Sequence, residues 1–166
     1  MPVPTASDPM GGKLSIDING VNIPAFMLGS ISASVSQVLR TSERLSGTTT
    51  NPSNQLDNPS YDVTFYPNQW SDLQYFMPEN YVGTPGGTDG AFILGTEECS
   101  LPEPTEVVLH YDCDDGTTRD ITMPVTKVAF EDSSERNATD DLSVTIHLYP
   151  QPNALGQIIY GTAPTS

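Results

Sequence analysis

The chain of 166 residues carries 6 Lys+Arg against 21 Asp+Glu, a formal charge of −15. This argues against nucleic-acid readers that neutralise phosphates and against recruitment to anionic lipid, since both need clustered cations. The length suits one domain, and 36% hydrophobic residues with 15 Pro and 13 Gly call for a core built from short apolar runs between turns, a composition that leans towards β structure.

Residues 1–12 (MPVPTASDPMGG) hold three Pro and two Gly without apolar periodicity, and are expected to form a flexible arm. They lack the basic start and apolar segment of a secretory signal, so none is expected here. Leu14, Ile16 and Ile18 alternate with Ser15 and Asp17 up to Asn19-Gly20, and Val21 and Ile23 resume beyond it, the pattern of a tight hairpin. Residues 26–46 satisfy a helical stripe through Leu28, Ile31, Val35, Val38, Leu39 and Leu45. Ser30, Ser32, Ser34 and Ser36 nevertheless fall on strict period 2 opposite Ile31, Ala33 and Val35, which predicts one long strand with a small polar face. Such a strand would overhang the core with both edges unpaired.

Residues 47–60 (GTTTNPSNQLDNPS) are polar and turn-rich, and predict a long loop. Strand pattern returns at Tyr61, Val63 and Phe65. From Asn68, a candidate N-cap, Trp70, Leu73, Gln74 and Met77 predict one short helix ending at Pro78, with Trp70, the only Trp, anchoring it to the sheet. A loop containing TPGGTDG and a short strand at Ala91 to Leu94 follow. Val107, Leu109, Tyr111 and Cys113 then alternate with Val108, His110 and Asp112, reach Asp115-Gly116, and return through Ile121, Met123 and Val125. Val128 and Phe130 extend the run, the acidic loop EDSSERNATDD follows, and Leu142, Val144, Ile146 and Leu148 predict the last long strand. A short strand at Gln157 to Tyr160 precedes a flexible end. The charge is uneven: residues 1–88 hold 7 acidic and 3 basic side chains, residues 89–166 hold 14 and 3, so the second half offers a strongly negative surface.

No catalytic or metal-binding pattern emerges. Asp112, Asp114, Asp115 and Asp120 have the composition of a calcium loop, but Gly116 takes the fifth ligand position and Met123 stands where a closing Glu belongs. His110 and His147 fall in strands, opposite the most apolar positions and away from other metal ligands, and read as ordinary strand residues. No GxSxG elbow, phosphate loop or dinucleotide fingerprint is present. Cys99 and Cys113 match neither a redox nor a zinc spacing, and are expected as reduced thiols rather than a disulfide. Asn137-Ala138-Thr139 matches a glycosylation acceptor by chance composition. An acidic surface poor in lysine is also a halophile trait, against which the 16% charged residues argue. No cofactor is expected.

The hairpin VVLHYDCDDGTTRDITMPV, the following KVAFEDSSERNATDDLSVTIHLYPQPN and the closing IIYG resemble the major tail tube protein of tailed bacteriophages. The earlier order of arm, long strand, long loop, strand and helix fits the same pattern. The resemblance implies a mainly β fold: a β-sandwich or half-barrel, shared with type VI secretion tube proteins, with one short packed α-helix, a long protruding strand hairpin and the N-terminal arm. It places a single domain at 13–161 between the arm 1–12 and a flexible end 162–166. It implies no enzyme but a virion protein, made and assembled in the host bacterial cytoplasm. Its subunits form rings, usually hexamers, which stack into a tube around a tape measure protein, bounded by tail tip and terminator proteins. DNA passes through without specific binding, and no membrane is involved.

On this reading Ser30, Ser32, Ser34 and Ser36 mark a ring-closing strand, and Thr48, Asn51, Asn54, Leu56 and Asp57 contacts between subunits or rings. Asp112, Glu131, Asp132, Asp140 and Asp141 would lend the lumen negative charge, which repels phosphate and lets DNA slide. The other readings are a capsid-decorating or adhesin-like β-sandwich, which would stay a compact monomer or trimer, and a small carboxylate-dependent hydrolase.

Overall fold

The computed structural model describes residues 13–95, 103–112, 118–133, 135–151 and 157–161. They are mainly β. The strands are β1 (Lys13–Ile18), β2 (Val21–Ile23), β3 (Leu28–Ser34), β4 (Gln37–Arg44), β5 (Gly47–Leu56), β6 (Ser60–Phe65), β7 (Tyr81–Val82), β8 (Ala91–Phe92), β9 (Thr105–Asp112), β10 (Thr118–Glu131), β11 (Val144–Pro150) and β12 (Ile159–Tyr160). One antiparallel sheet runs β2-β1-β9-β10-β11-β6-β3, with β12 beside the first half of β10. The β4–β5 hairpin and the small β7–β8 ribbon stand apart from it.

The first hairpin forms where Asn19-Gly20 predicts it, because both residues take the left-handed conformation a tight turn requires, at φ of 50° and 80°. Strand β10 organises the rest. Its first half pairs with β9 and β12 and its second with β11, and the register shifts between Met123 and Thr126. Pro124 has no N–H to give the ladder, so the pairing with β9 is interrupted there. The buried Thr126 hydroxyl donates to the Met123 carbonyl (3.1 Å) and so satisfies a group the bulge would otherwise orphan.

Both halves of the sheet contribute to one core, with Ile16, Leu109 and Met123 from one and Val63, Phe65, Ile146 and Leu148 from the other. A 3-10 helix, Trp70–Tyr75, covers it. The sequence predicts an α-helix there. The ten residues between Pro67 and Pro78 are too few for a cooperative α-helix, and the tighter turn still delivers Leu73 and, just beyond it, Phe76 to the core. Phe76 packs edge-on to Phe65 at 4.9 Å between ring centroids. Trp70 is not the anchor: it is 45% exposed, beneath the Arg136 guanidinium at 5.9 Å. The N-cap is Gln69 rather than Asn68. Its carbonyl accepts the Asp72 N–H at 3.0 Å, while Asp72 Oδ2 accepts from the Gln69 and Asn68 N–H groups at 3.1 and 2.9 Å.

Two other expectations are corrected together. The single strand over 26–46 is a short 3-10 turn, Ala25–Met27, followed by β3 and β4 as separate strands. The chain leaves its partner β6 after Ser34, and the Ser36 carbonyl accepts the Asp57 N–H (2.9 Å) at the crossover. The predicted loop 47–60 is mostly β5, which pairs with β4 from Arg44↔Gly47 to Gln37↔Leu56. Thr48, Thr49 and Thr50 are β-branched, so this polar run prefers extended backbone despite its lack of apolar residues. The arm 1–12, the chain end 162–166, both cysteines and the Asp115-Gly116 turn lie outside the described residues.

Candidate assembly surfaces

The β4–β5 hairpin leaves the sheet at the Ser34–Ser60 row and extends for eight residues along β4, about 26 Å at the usual rise per residue. Nearly every residue of it is exposed. Thr48 pairs with Glu43 and Asn51 with Arg40 in the ladder, Gln37 Nε2 donates to Asn54 Oδ1 (3.4 Å), and Leu56 and Asp57 sit at its base. Arg40 and Arg44 belong to β4, and Leu45, fully exposed, starts the turn. A two-stranded ribbon without a packed face is marginal by itself.

Among the described residues strand β3 is an edge of the main sheet, with β6 on one side only. Ser30, Ser32 and Ser34 are exposed along it, and the Ser30 and Thr64 hydroxyls lie 3.4 Å apart. Ser36 falls beyond the strand, at the crossover to β4. The acidic positions separate. Asp112 ends β9, opposite Thr118 of β10 and Lys13 of β1. Asp132, Asp140 and Asp141 share the connection between β10 and β11. Asp132 forms an ion pair with Arg136, and the Asn137 side chain turns back on Asp140 and Thr139 at 2.6–2.9 Å, which fixes that tripeptide as a local turn. Glu131, at the end of β10, is engaged by a histidine.

That histidine belongs to a pattern that sequence reasoning missed. On the outer face His147 Nδ1 meets Asp62 Oδ1 of β6 at 2.6 Å and its Nε2 meets Glu131 Oε2 of β10 at 2.8 Å. His110 of β9 is held in the same way, by Asp17 Oδ2 of β1 at 2.7 Å and Asp120 Oδ1 of β10 at 2.8 Å. Each imidazole thus ties three adjacent strands. Hydrogen bonding to Asp62, reduced by partial burial and reinforced by Glu131, raises the pKa of His147. For His110 partial burial is the largest single influence and opposes the charge, but the bonds and charges of Asp17 and Asp120 outweigh it, so its pKa is also raised. Asp17 is lowered: partial burial works against its charge, and hydrogen bonds from Asn22 and His110 overcome it. With both ring nitrogens occupied, neither imidazole is available as a base or metal ligand. Among the described residues no three His, Cys, Asp or Glu side chains converge as a metal set.

A groove of about 580 Å³ opens between the β1–β2 turn, the end of the Trp70–Tyr75 helix, a further 3-10 turn at Pro78–Asn80 and the start of β9. Val21, Tyr75, Met77, Pro104 and Val125 give it an apolar wall, and Val21 is 42% exposed there. Glu79, Glu103 and Glu106 stand exposed among its lining residues. None of the hairpin residues lines it.

No family model matches the sequence, and no curated protein matches it. Solved structures do match in fold. The anti-feeding prophage cap, a tube-terminating cap, superposes with a TM-score of 0.63 at 10% identity, over 98% of this chain and 97% of that one. A chain of the PVC sheath-tube complex of an extracellular contractile injection system, in the extended state, gives 0.58 at 12% identity, over 98% and 93%. The sheath/tube terminator of the same kind of system gives 0.56 at 12%, over 98% of both chains. The chain therefore has a tail-tube-related fold, shared with the anti-feeding prophage cap and with chains of contractile injection systems.

Proposed function

We propose that the chain is a self-assembling structural subunit of a phage-like particle, forming stacked hexameric rings of its tail tube. The β4–β5 hairpin carries this reading: a polar, two-stranded projection has little reason to hold its shape unless a neighbouring subunit covers it. The free edge of β3 offers a second contact, with Ser30, Ser32 and Ser34 along it, and extension of the sheet by a neighbour's strand would close a ring. Thr48, Asn51, Asn54, Leu56 and Asp57 belong to the hairpin contact between rings. The fold shared with injection-system tubes and caps supports the reading at the level of architecture. In this role the partners are further copies of the chain, a tape measure protein, and tip and terminator proteins. Passing DNA would meet acids such as Asp112, Asp132, Asp140 and Asp141, which repel its phosphates.

The test is negative-stain electron microscopy of the purified protein at about 0.1–0.2 M salt, where long-range repulsion is screened. Rings or hollow tubes of uniform bore are expected. Compact monomers or trimers at every concentration would instead favour a surface-decorating β-sandwich.

A further inference from the structure

The hairpin tip and the groove are complementary in two independent respects. The tip presents one large apolar side chain, Leu45, with nothing around it, whereas the groove presents apolar wall to solvent at Val21 and Tyr75. The second respect is charge. Strands β4 and β5 carry Arg40 and Arg44 against Glu43 alone, in a chain that elsewhere has four basic and twenty acidic residues, so this projection has a net positive charge. The groove has Glu79, Glu103 and Glu106.

We propose that the hairpin tip of one copy seats in the groove of a second copy, with Leu45 against the apolar wall and Arg40 and Arg44 facing the glutamates. This rests on the self-assembly reading above and names the surfaces that meet. A tip and a groove are different surfaces, so each copy offers one of each, and the contact repeats from copy to copy until a ring closes or a filament grows. The arginines steer the tip towards an acidic rim and set register, and Leu45, as the buried anchor, disfavours acidic faces that lack an apolar wall.

Two charge-inverted chains test it. One is Arg40→Glu with Arg44→Glu, and the other is Glu103→Arg with Glu106→Arg. All four side chains are exposed, so each monomer should keep the wild-type melting temperature. By analytical ultracentrifugation each alone should need at least about tenfold more protein to assemble, a typical loss for a hot-spot change, and Leu45→Asp should do the same. Mixed in equal amounts, the two inverted chains should assemble together, because the inverted tip suits the inverted groove and the two native surfaces also meet. Wild-type assembly by either inverted chain alone, or by Leu45→Asp, overturns the tip-in-groove contact while leaving the ring reading intact. Impaired single chains that the mixture does not rescue overturn it as well. A wild-type chain that stays monomeric throughout overturns both.

Discussion

His110 and His147 give the molecule a pH dependence whose sign follows from their pKa values. A histidine whose folded pKa lies above its unfolded value of about 6.5 stabilises fully below that value, and loses the contribution as pH rises through the folded pKa. Both are raised here, so stability should fall on going from about pH 6 to pH 9, a range in which side-chain carboxylates are already ionised. Charge-assisted hydrogen bonds are worth about 1.5–3 kcal/mol each. The carboxylates are partly solvated, so we expect about 1–2 kcal/mol for both clamps together after screening. That amounts to a few degrees of melting temperature, read by differential scanning calorimetry. The double variant His110→Gln/His147→Gln should flatten the profile, and a wild-type melting temperature that rises towards pH 9 would rule the clamps out as stabilisers. Asp17 has the opposite sign: its pKa is lowered, so its share is present above about pH 4 and lost as pH falls below. One clamp was partly legible in the sequence. A two-residue turn at Asp115-Gly116 would set His110 opposite Ile121 and mix the two faces, while the observed register sets it opposite Asp120. The Asp62 partner of His147 was not legible, because β6 and β11 are 85 residues apart at that pair and nothing local fixes which strands become neighbours.

The 3-10 helix and the hairpin illustrate what a pattern of apolar residues conveys about an element and what it omits. Spacing placed the helix correctly and chose the wrong anchor, because Trp70 leads the segment while Leu73 and Phe76 sit where the turn meets the sheet. Phe76→Ala should cost about 3–5 kcal/mol and Leu73→Ala about 2–5, whereas Trp70→Ala, losing an exposed cation–π contact with Arg136, should cost about 1 or less. Urea unfolding followed by far-ultraviolet circular dichroism would separate them, and equal losses at Trp70 and Phe76 would contradict the packing. In β10 the inward residues change from odd to even numbers, Ile121 and Met123 before the bulge and Val128 and Phe130 after it, so the corner at Pro124 was readable from parity alone. The resemblance implied a protruding hairpin, but where it lies was hidden in the residue pattern, for the opposite reason. Strands are recognised by apolar alternation, which exists to bury one face, and neither face of β4–β5 is buried within the monomer. Only the run of threonines carried the signal, and it carried preference without periodicity.

Whole-molecule charge sets the conditions under which such a hairpin can find its neighbour. Two compact domains of this size meet at centre separations of about 40 Å. Two point charges of −15 at that distance repel by about 23 kcal/mol in unscreened water. Screening reduces this to about 6 kcal/mol at 0.01 M salt and to well under 1 at 0.1 M, as the Debye length falls from about 30 to about 10 Å. Salt also weakens the local attraction between Arg40, Arg44 and the groove glutamates, but exposed pairs are worth only about 0–1 kcal/mol each. The burial of Leu45 is indifferent to modest salt. Relief of repulsion therefore exceeds loss of attraction over this range, and assembly should be promoted as salt rises from about 0.01 to about 0.1 M, then level off once the net-charge term is spent. Static light scattering through a sodium chloride titration reads this directly. Dissociation over the same range would mean that attractive ion pairs, rather than the net charge and the apolar anchor, control the contact. In that case the Arg40→Glu/Arg44→Glu chain should lose its salt sensitivity, while Leu45→Asp should keep it.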